Sequence, residues 1–283
     1  MSYTKSAIVL LGLCCVSFAE TAKVTPHVNA KEAAAALAQM SAAQAAPHSP
    51  FSTSTCSFTF TSGANDTYLK YCVTANGNIT QLETPLGQEH IAVGDFGEGY
   101  GFCDVNSNTS YLDYADAGDS ANWGAATVLS HNATTVKIAR STSDGIWTLT
   151  QTITQVASTS SVKVAMTLKN NTTVDRPVKI LRYADVDAAG VFTNNLDGTI
   201  DSAFAWNSVG NDFPFGLMLQ YVSGASPSSR LGFAQNFAGG AQPCHPSIAQ
   251  GPLSETDGSI AFMYVIDIQG RTSKTVTVSY RGF

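Results

Sequence analysis

The chain has 283 residues, 44% hydrophobic and only 13% charged, with 21 acidic against 15 basic residues and a formal charge of −6. That excludes an intrinsically disordered chain, which is poor in apolar residues and rich in charge. It also excludes a nucleic-acid binder, because the scattered Lys and Arg form no cluster to neutralise a phosphate backbone. The length suits one large domain, since all-β folds of about 200–250 residues commonly stay single.

Residues 1–19 read MSYTKSAIVLLGLCCVSFA: a basic residue at Lys5, an apolar run over 7–18, and the small residues Ser17 and Ala19 before Glu20. This is the pattern of a secretory signal peptide, and its apolar run is shorter than the roughly 20 residues that span a bilayer. The expectation is a secreted or periplasmic protein with no membrane span in the mature chain. Residues 20–54 are alanine-dense, with Asn29 able to cap and Pro47 able to stop a helix. Leu37 and Met40 are its only large apolar side chains between those limits, so it reads as an exposed linker or pro-segment ahead of a single domain at 55–283.

Past the signal, Cys56, Cys72, Cys103 and Cys244 remain, and an oxidising compartment makes two disulfides the default. If Thr61 faces Thr67 across a turn at 62–66, Cys56 falls opposite Cys72. The expected pairs are therefore Cys56–Cys72 and Cys103–Cys244. A zinc site adding His245 has no C-x-x-C spacing to support it.

From Thr55 onward the apolar period is two. In 161–169, Val162, Val164, Met166 and Leu168 share one face, and 146–154 and 275–280 alternate likewise. The stretch 260–266 is apolar on both faces, as a central covered strand should be. Asn76-Gly77 between alternating runs signals a hairpin with a type I′ turn, and Asp144-Gly145, Asn170-Asn171, Asp197-Gly198 and Asp257-Gly258 punctuate further pairs. About sixteen short strands are expected, folded as a large all-β antiparallel sandwich.

Several side chains are candidates for chemistry. Asp185 and Asp187 are two apart on a predicted strand and so share a face, with Tyr183 behind them and Arg182 opposite. With Asn195 and Asp197 in the following loop they supply hard oxygen ligands suited to calcium, or they form a solvated strand end. Glu89 and His90 precede the glycine-rich run 94–101 and Glu98 lies within it; these include acid/base side-chain types, but no phosphate-loop helix pattern follows. Asp113, Asp116 and Asp119 lie among Tyr111, Tyr114 and Trp123, which either stack on sugar rings or pack a strand edge. Trp147 reads as core, and Trp206, near a Gly-Asn-Asp turn, as a binding-surface candidate. Six N-x-[ST] sequons occur, at Asn65, Asn78, Asn108, Asn132, Asn170 and Asn171.

The stretches NGNITQLETPLGQEHI at 76–91 and SVKVAMTLKNNTTVDRPVKILRYADVD at 161–187 resemble the galactose-mutarotase-like supersandwich. An early Gly-turn hairpin is followed there by an Asn–polar turn–Pro link into a strand that enters the binding cleft. The resemblance implies that fold and a link to carbohydrate. Tyr183, Ala184 and Asp185 stand where the family carries its histidine, and the only counterpart of its late catalytic glutamate is Glu255. Two functions follow as expectations. One is a non-catalytic module that recognises glycans or oligosaccharides, or serves a surface or structural role, with Arg182, Tyr183 and Trp206 as ligand-binding candidates. The other is a carbohydrate-active enzyme, an epimerase, hydrolase or lyase, drawing on Glu89, His90, Glu98, Asp185 and Asp187.

Overall fold

The computed structural model describes residues 56–91, 97–115, 118–207, 214–237 and 240–283. The expected signal peptide and Ala-rich segment lie outside them, as does Asp116. Among the described residues the chain is all-β. Strands β1 (Phe58–Ser62), β2 (Leu69–Val73) and β3 (Ile79–Glu83) form a small sheet. There follow β4 (Glu98–Asp104), β5 (Thr109–Tyr114), β6 (Gly118–Asp119), β7 (Thr127–His131), β8 (Thr135–Ser141), β9 (Trp147–Val156), β10 (Ser161–Asn170) and β11 (Arg176–Asp185). The chain ends through β12 (Asn194–Gly198), β13 (Ser202–Asn207), β14 (Phe215–Ser223), β15 (Arg230–Gln235), β16 (Leu253–Thr256), β17 (Ser259–Ile268) and β18 (Ser273–Gly282).

Two large antiparallel sheets carry the core. One has nine strands in the order β16-β12-β13-β14-β18-β10-β9-β8-β7, and the other six in the order β15-β17-β11-β4-β5-β6. Period-two alternation explains the nine-stranded sheet. β9 alternates buried and half-buried residues along its whole length. Its Trp147, Leu149 and Ile153 join Val164, Met166, Val278 and Tyr280 against Tyr100, Phe102, Ile180 and Phe262 of the six-stranded sheet. In the six-stranded sheet, β4 is buried at every position, and β11 and β17 are buried on both faces along most of their length. A second apolar layer, including Leu112, Tyr114, Tyr183, Phe233 and Met263, lies on that sheet's outer side.

The outer layer is capped by the segment 240–244. A side chain at Gly240 would meet the Tyr114 ring at 2.4 Å, so only glycine permits this approach. The Tyr114 hydroxyl donates to the Ala241 carbonyl at 2.9 Å, and Cys244 is disulfide-bonded to Cys103. Cys56 is bonded to Cys72, so both expected pairs form.

Two local expectations need correction. The β1–β2 register sets Thr59 against Cys72 and Thr61 against Lys70, a slip of three residues from the expected pairing. The 3-10 turn Asn65–Thr67 takes up the intervening chain, and Cys56 reaches Cys72 from beyond the end of the ladder. At Asn76-Gly77 the hairpin forms, but only Gly77, with φ 93°, has positive φ, so the turn is not type I′. The competing interaction is tertiary: the turn is inserted into the core, where the Asn76 side-chain amide donates to Asp113 at 2.9 Å and the Asn76 backbone carbonyl accepts from the Tyr100 hydroxyl.

Candidate functional site

The ends of three adjacent strands bring a polar row together. Ser259 opens β17 and lies across from Gln235 at the end of β15 and from Asp185 at the end of β11. Strand alternation places all three on the outer face that carries Phe233, Ala261 and Tyr183. Gln235 and Ser259 are fully buried and Asp185 is 7% exposed. The Gln235 amide donates to Ser259 Oγ at 3.0 Å, and Ser259 Oγ donates to the Phe237 carbonyl at 2.9 Å. Among the described residues this leaves two buried acceptors, Gln235 Oε1 and Asp185 Oδ1, without a hydrogen-bond donor. Such atoms are costly to bury unmatched.

Burial pushes the Asp185 carboxyl up to about 7, and the nearby Asp187 and Asp257 carboxylates add to the effect. Asp187 is raised in the same direction by burial and by Asp257. An acid whose folded pKa is raised binds its proton more tightly when folded. Its stabilising contribution is complete below about pH 4, the usual carboxylate range, and is lost as pH rises through about 7. Asp185→Asn should therefore gain on the parent protein with rising pH, reaching a melting temperature several degrees higher at pH 8. Melting curves that stay parallel from pH 4 to 8 would show that this carboxyl is not held neutral.

Glu89 and His90 act as a brace under this end of the sheet. The Glu89 carboxylate accepts backbone N–H groups of Leu82, His90 and Ile91 at 2.6, 3.2 and 3.3 Å. Backbone carbonyls of His90 and Glu89 accept from the N–H groups of Asp187 and Gly190, which fixes the turn after β11. The buried His90 ring donates from Nε2 to the Thr84 carbonyl at 2.6 Å and accepts at Nδ1 from Ala189 N–H at 3.4 Å. Burial lowers its pKa, consistent with a neutral ring whose two nitrogens are both engaged.

Glu98 and Arg182 lie between the two large sheets, not on the outer face. Both are fully buried and paired with each other. Burial opposes the Arg182 charge, but the Glu98 carboxylate outweighs it and holds the guanidinium protonated. Tyr183 packs in the outer layer, edge-on to Tyr114 at 6.0 Å between ring centroids. Trp206 is half-buried on the outer face of the nine-stranded sheet, stacked on Phe204 at 5.6 Å. Its strand alternates with the inward Ala203 and Ala205.

The four calcium candidates are divided. Asn195 and Asp197 lie opposite Trp206 and Phe204 on the nine-stranded sheet, whereas Asp185 ends a strand of the other sheet and Asp187 follows it. Among the described residues no group of three or more His, Cys, Asp or Glu is arranged to hold a metal. Asp113 and Asp119 both pair with buried Arg140, which lies over the Trp123 ring at 5.0 Å, so this acidic group belongs to the core. Glu255 is exposed on β16, at an edge of its sheet. Gln235, Ser259 and Asp257 escaped the sequence reading. Asp257 was legible only as a turn residue, and nothing local marks a strand-ending Gln or Ser as part of a shared row.

No family model and no curated protein sequence matches the chain. Solved structures do match in fold. A bacterial glucoamylase in complex with acarbose superposes with a TM-score of 0.53 at 9% identity, over 83% of this chain and 34% of that one. The chain thus spans about a third of the length of that enzyme. A galactose mutarotase-like protein from Lactobacillus casei matches at TM-score 0.47 and 9% identity, over 80% of this chain and 100% of that one. A galactose mutarotase related enzyme from Lactobacillus acidophilus matches at 0.42 and 6%, over 80% and 97%. The likeness is one of fold. At the level of fold it agrees with the resemblance carried by 76–91 and 161–187.

Proposed function

We propose that the protein is exported and binds carbohydrate without turning it over, at the row formed by Gln235, Ser259 and Asp185. The observation that carries this reading is the pair of buried acceptor oxygens at the ends of adjacent strands, Gln235 Oε1 and Asp185 Oδ1, which have no donor among the described residues. Sugar hydroxyls donate hydrogen bonds, and small-ligand sites are built around a few convergent polar groups of this kind. Two disulfides support export, and among the described residues no helix is long and apolar enough to cross a membrane.

The non-catalytic part rests on how the other candidates are used. Glu98 is locked to Arg182, Glu89 to three backbone N–H groups, and His90 at both ring nitrogens. One observation favours the enzymatic reading instead: Asp185 with a pKa of about 7 is suited to general acid–base work near neutrality. A glycan array followed by calorimetry separates the two. Binding of at least one glycan should weaken about tenfold in Gln235→Ala or Asp185→Ala, the worth of one or two hydrogen bonds. The bound sugar should show no accelerated anomer exchange and no new reducing ends or unsaturated products. Absence of any glycan ligand overturns the reading, and turnover that disappears in Asp185→Asn replaces it with the enzymatic one.

A further inference from the structure

The fold sorts the six sequons into two groups. An N-glycan is attached through the side-chain nitrogen of Asn in N-x-[ST], so the burial and hydrogen bonding of that nitrogen decide whether a modified chain can reach the native state. At Asn78, 1% exposed, Nδ2 donates to the buried Asp113 carboxylate. At Asn170, fully buried, it donates to the carbonyls of Val174 and Ile268 at 2.7 and 3.2 Å. At half-buried Asn171 it donates to the Gly145 carbonyl and to Thr148 Oγ1 at 3.2 and 3.0 Å. A glycan on the first two would force a bulky polar group into the core. On Asn171 it would take one of the two amide hydrogens and so cost one of these two bonds, which tie the β10–β11 turn to Gly145 and Thr148.

The other three are exposed and sit in turns: Asn65 in the turn between β1 and β2, Asn108 between β4 and β5, and Asn132 between β7 and β8. The Asn132 oxygen is held by the N–H groups of Thr134 and Thr135, both at 2.9 Å, with no bond to its nitrogen among the described residues. Asn108 Nδ2 meets His245 Nε2 at 3.3 Å on the surface. An attached glycan takes only one of the two amide hydrogens, so that contact survives.

We propose that Asn65, Asn108 and Asn132 are N-glycan acceptors and that Asn78, Asn170 and Asn171 are not. In the reaction the Asn Nδ2 forms a bond to the anomeric carbon of a polyprenyl-diphosphate-linked oligosaccharide. The carbon–oxygen bond to the diphosphate breaks, polyprenyl diphosphate leaves with its electron pair, and the amide proton passes to solvent. The placement of Asn132 and Asn108 spares the polar row. Asn132 follows β7, at the opposite edge of the nine-stranded sheet from β16 and Asp257, eight strand spacings or about 38 Å measured across the sheet. Asn108 is near the start of β11 and Asp185 at its end, about 30 Å along the strand.

This inference rests on the export reading, and the experiment separates the two. The full chain is expressed in a eukaryotic secretory cell and the protein recovered from the medium is mapped by mass spectrometry before and after peptide N-glycosidase. Three occupied sites are expected, with one glycan lost in each of Asn65→Gln, Asn108→Gln and Asn132→Gln and none left in the triple variant. If nothing reaches the medium, the export reading fails, and the same map is made on a chain whose residues 1–19 are replaced by the leader of a well-exported protein. A glycan on Asn78, Asn170 or Asn171 in folded protein, or unmodified Asn65, Asn108 and Asn132, overturns the inference.

Discussion

Arg182→Met should destabilise the protein by about 3–5 kcal/mol, the usual consequence of leaving one member of a buried ion pair without its partner. Arg182 is fully buried. Its Nε donates to Glu98 at 2.9 Å, and its terminal nitrogens donate to the Gly77 carbonyl at 3.2 and 3.3 Å and to Gln151 Oε1 at 2.5 Å. The Glu98 carboxylate also accepts from the Tyr280 hydroxyl and, at 2.8 Å, from Ile79 N–H. The pair therefore clamps the inserted tip of the β2–β3 hairpin to both large sheets. With Met in place of Arg, a carboxylate and two further acceptors remain in the core without their donor. Glu98→Gln keeps the shape and removes the charge, so the double variant Arg182→Met with Glu98→Gln should recover part of the loss. Denaturant unfolding of the four proteins measures the coupling, and strictly additive losses would sink the claim that the two side chains act as a unit.

That pair also shows where the sequence stops being legible. Alternation correctly places Arg182 on the face opposite Tyr183, as the period of two in β11 requires. What the sequence does not carry is which face is interior, because β11 is apolar-covered on both sides, by the main core and by the layer holding Tyr183. Arg182 and Glu98 are 84 residues apart in the chain, and no local signal links them. Strands with one buried face, such as β9 and β10, were readable from alternation alone. The half-buried, outward position of Trp206 likewise follows from its place between inward Ala205 and buried Asn207. The polar row was not readable for a topological reason. Gln235 and Asp185 become neighbours only because β17 inserts between β15 and β11, a pairing set by the global fold. Cys56–Cys72 shows the reverse: the bond was right although the register was three residues off, because a 5.4 Å Cα separation is reached from beyond the ladder as well as from within it.

Removing the second disulfide, by Cys103→Ser with Cys244→Ser, should cost about 5 kcal/mol on the chain-entropy account, against about 3 kcal/mol for removing Cys56–Cys72. The difference arises because the closed loops span 141 and 16 residues, so the longer bridge restrains the unfolded chain more. The two losses should also differ in kind. Cys244 ends the segment that caps the outer layer, and its other ties are modest: the Tyr114 hydroxyl to the Ala241 carbonyl, and Lys179 Nζ to the Cys244 carbonyl at 3.2 Å. Once the bridge is gone, local opening of 240–244 uncovers Tyr114, Tyr183, Phe233 and Met263 at much less than the cost of global unfolding. Below the unfolding transition, the Cys103→Ser, Cys244→Ser protein should bind a hydrophobic dye that neither the parent nor the Cys56→Ser, Cys72→Ser protein binds. Equal losses of stability would contradict the entropic account. Unchanged dye binding would show that the Tyr114–Gly240 contact holds the cap closed without the disulfide.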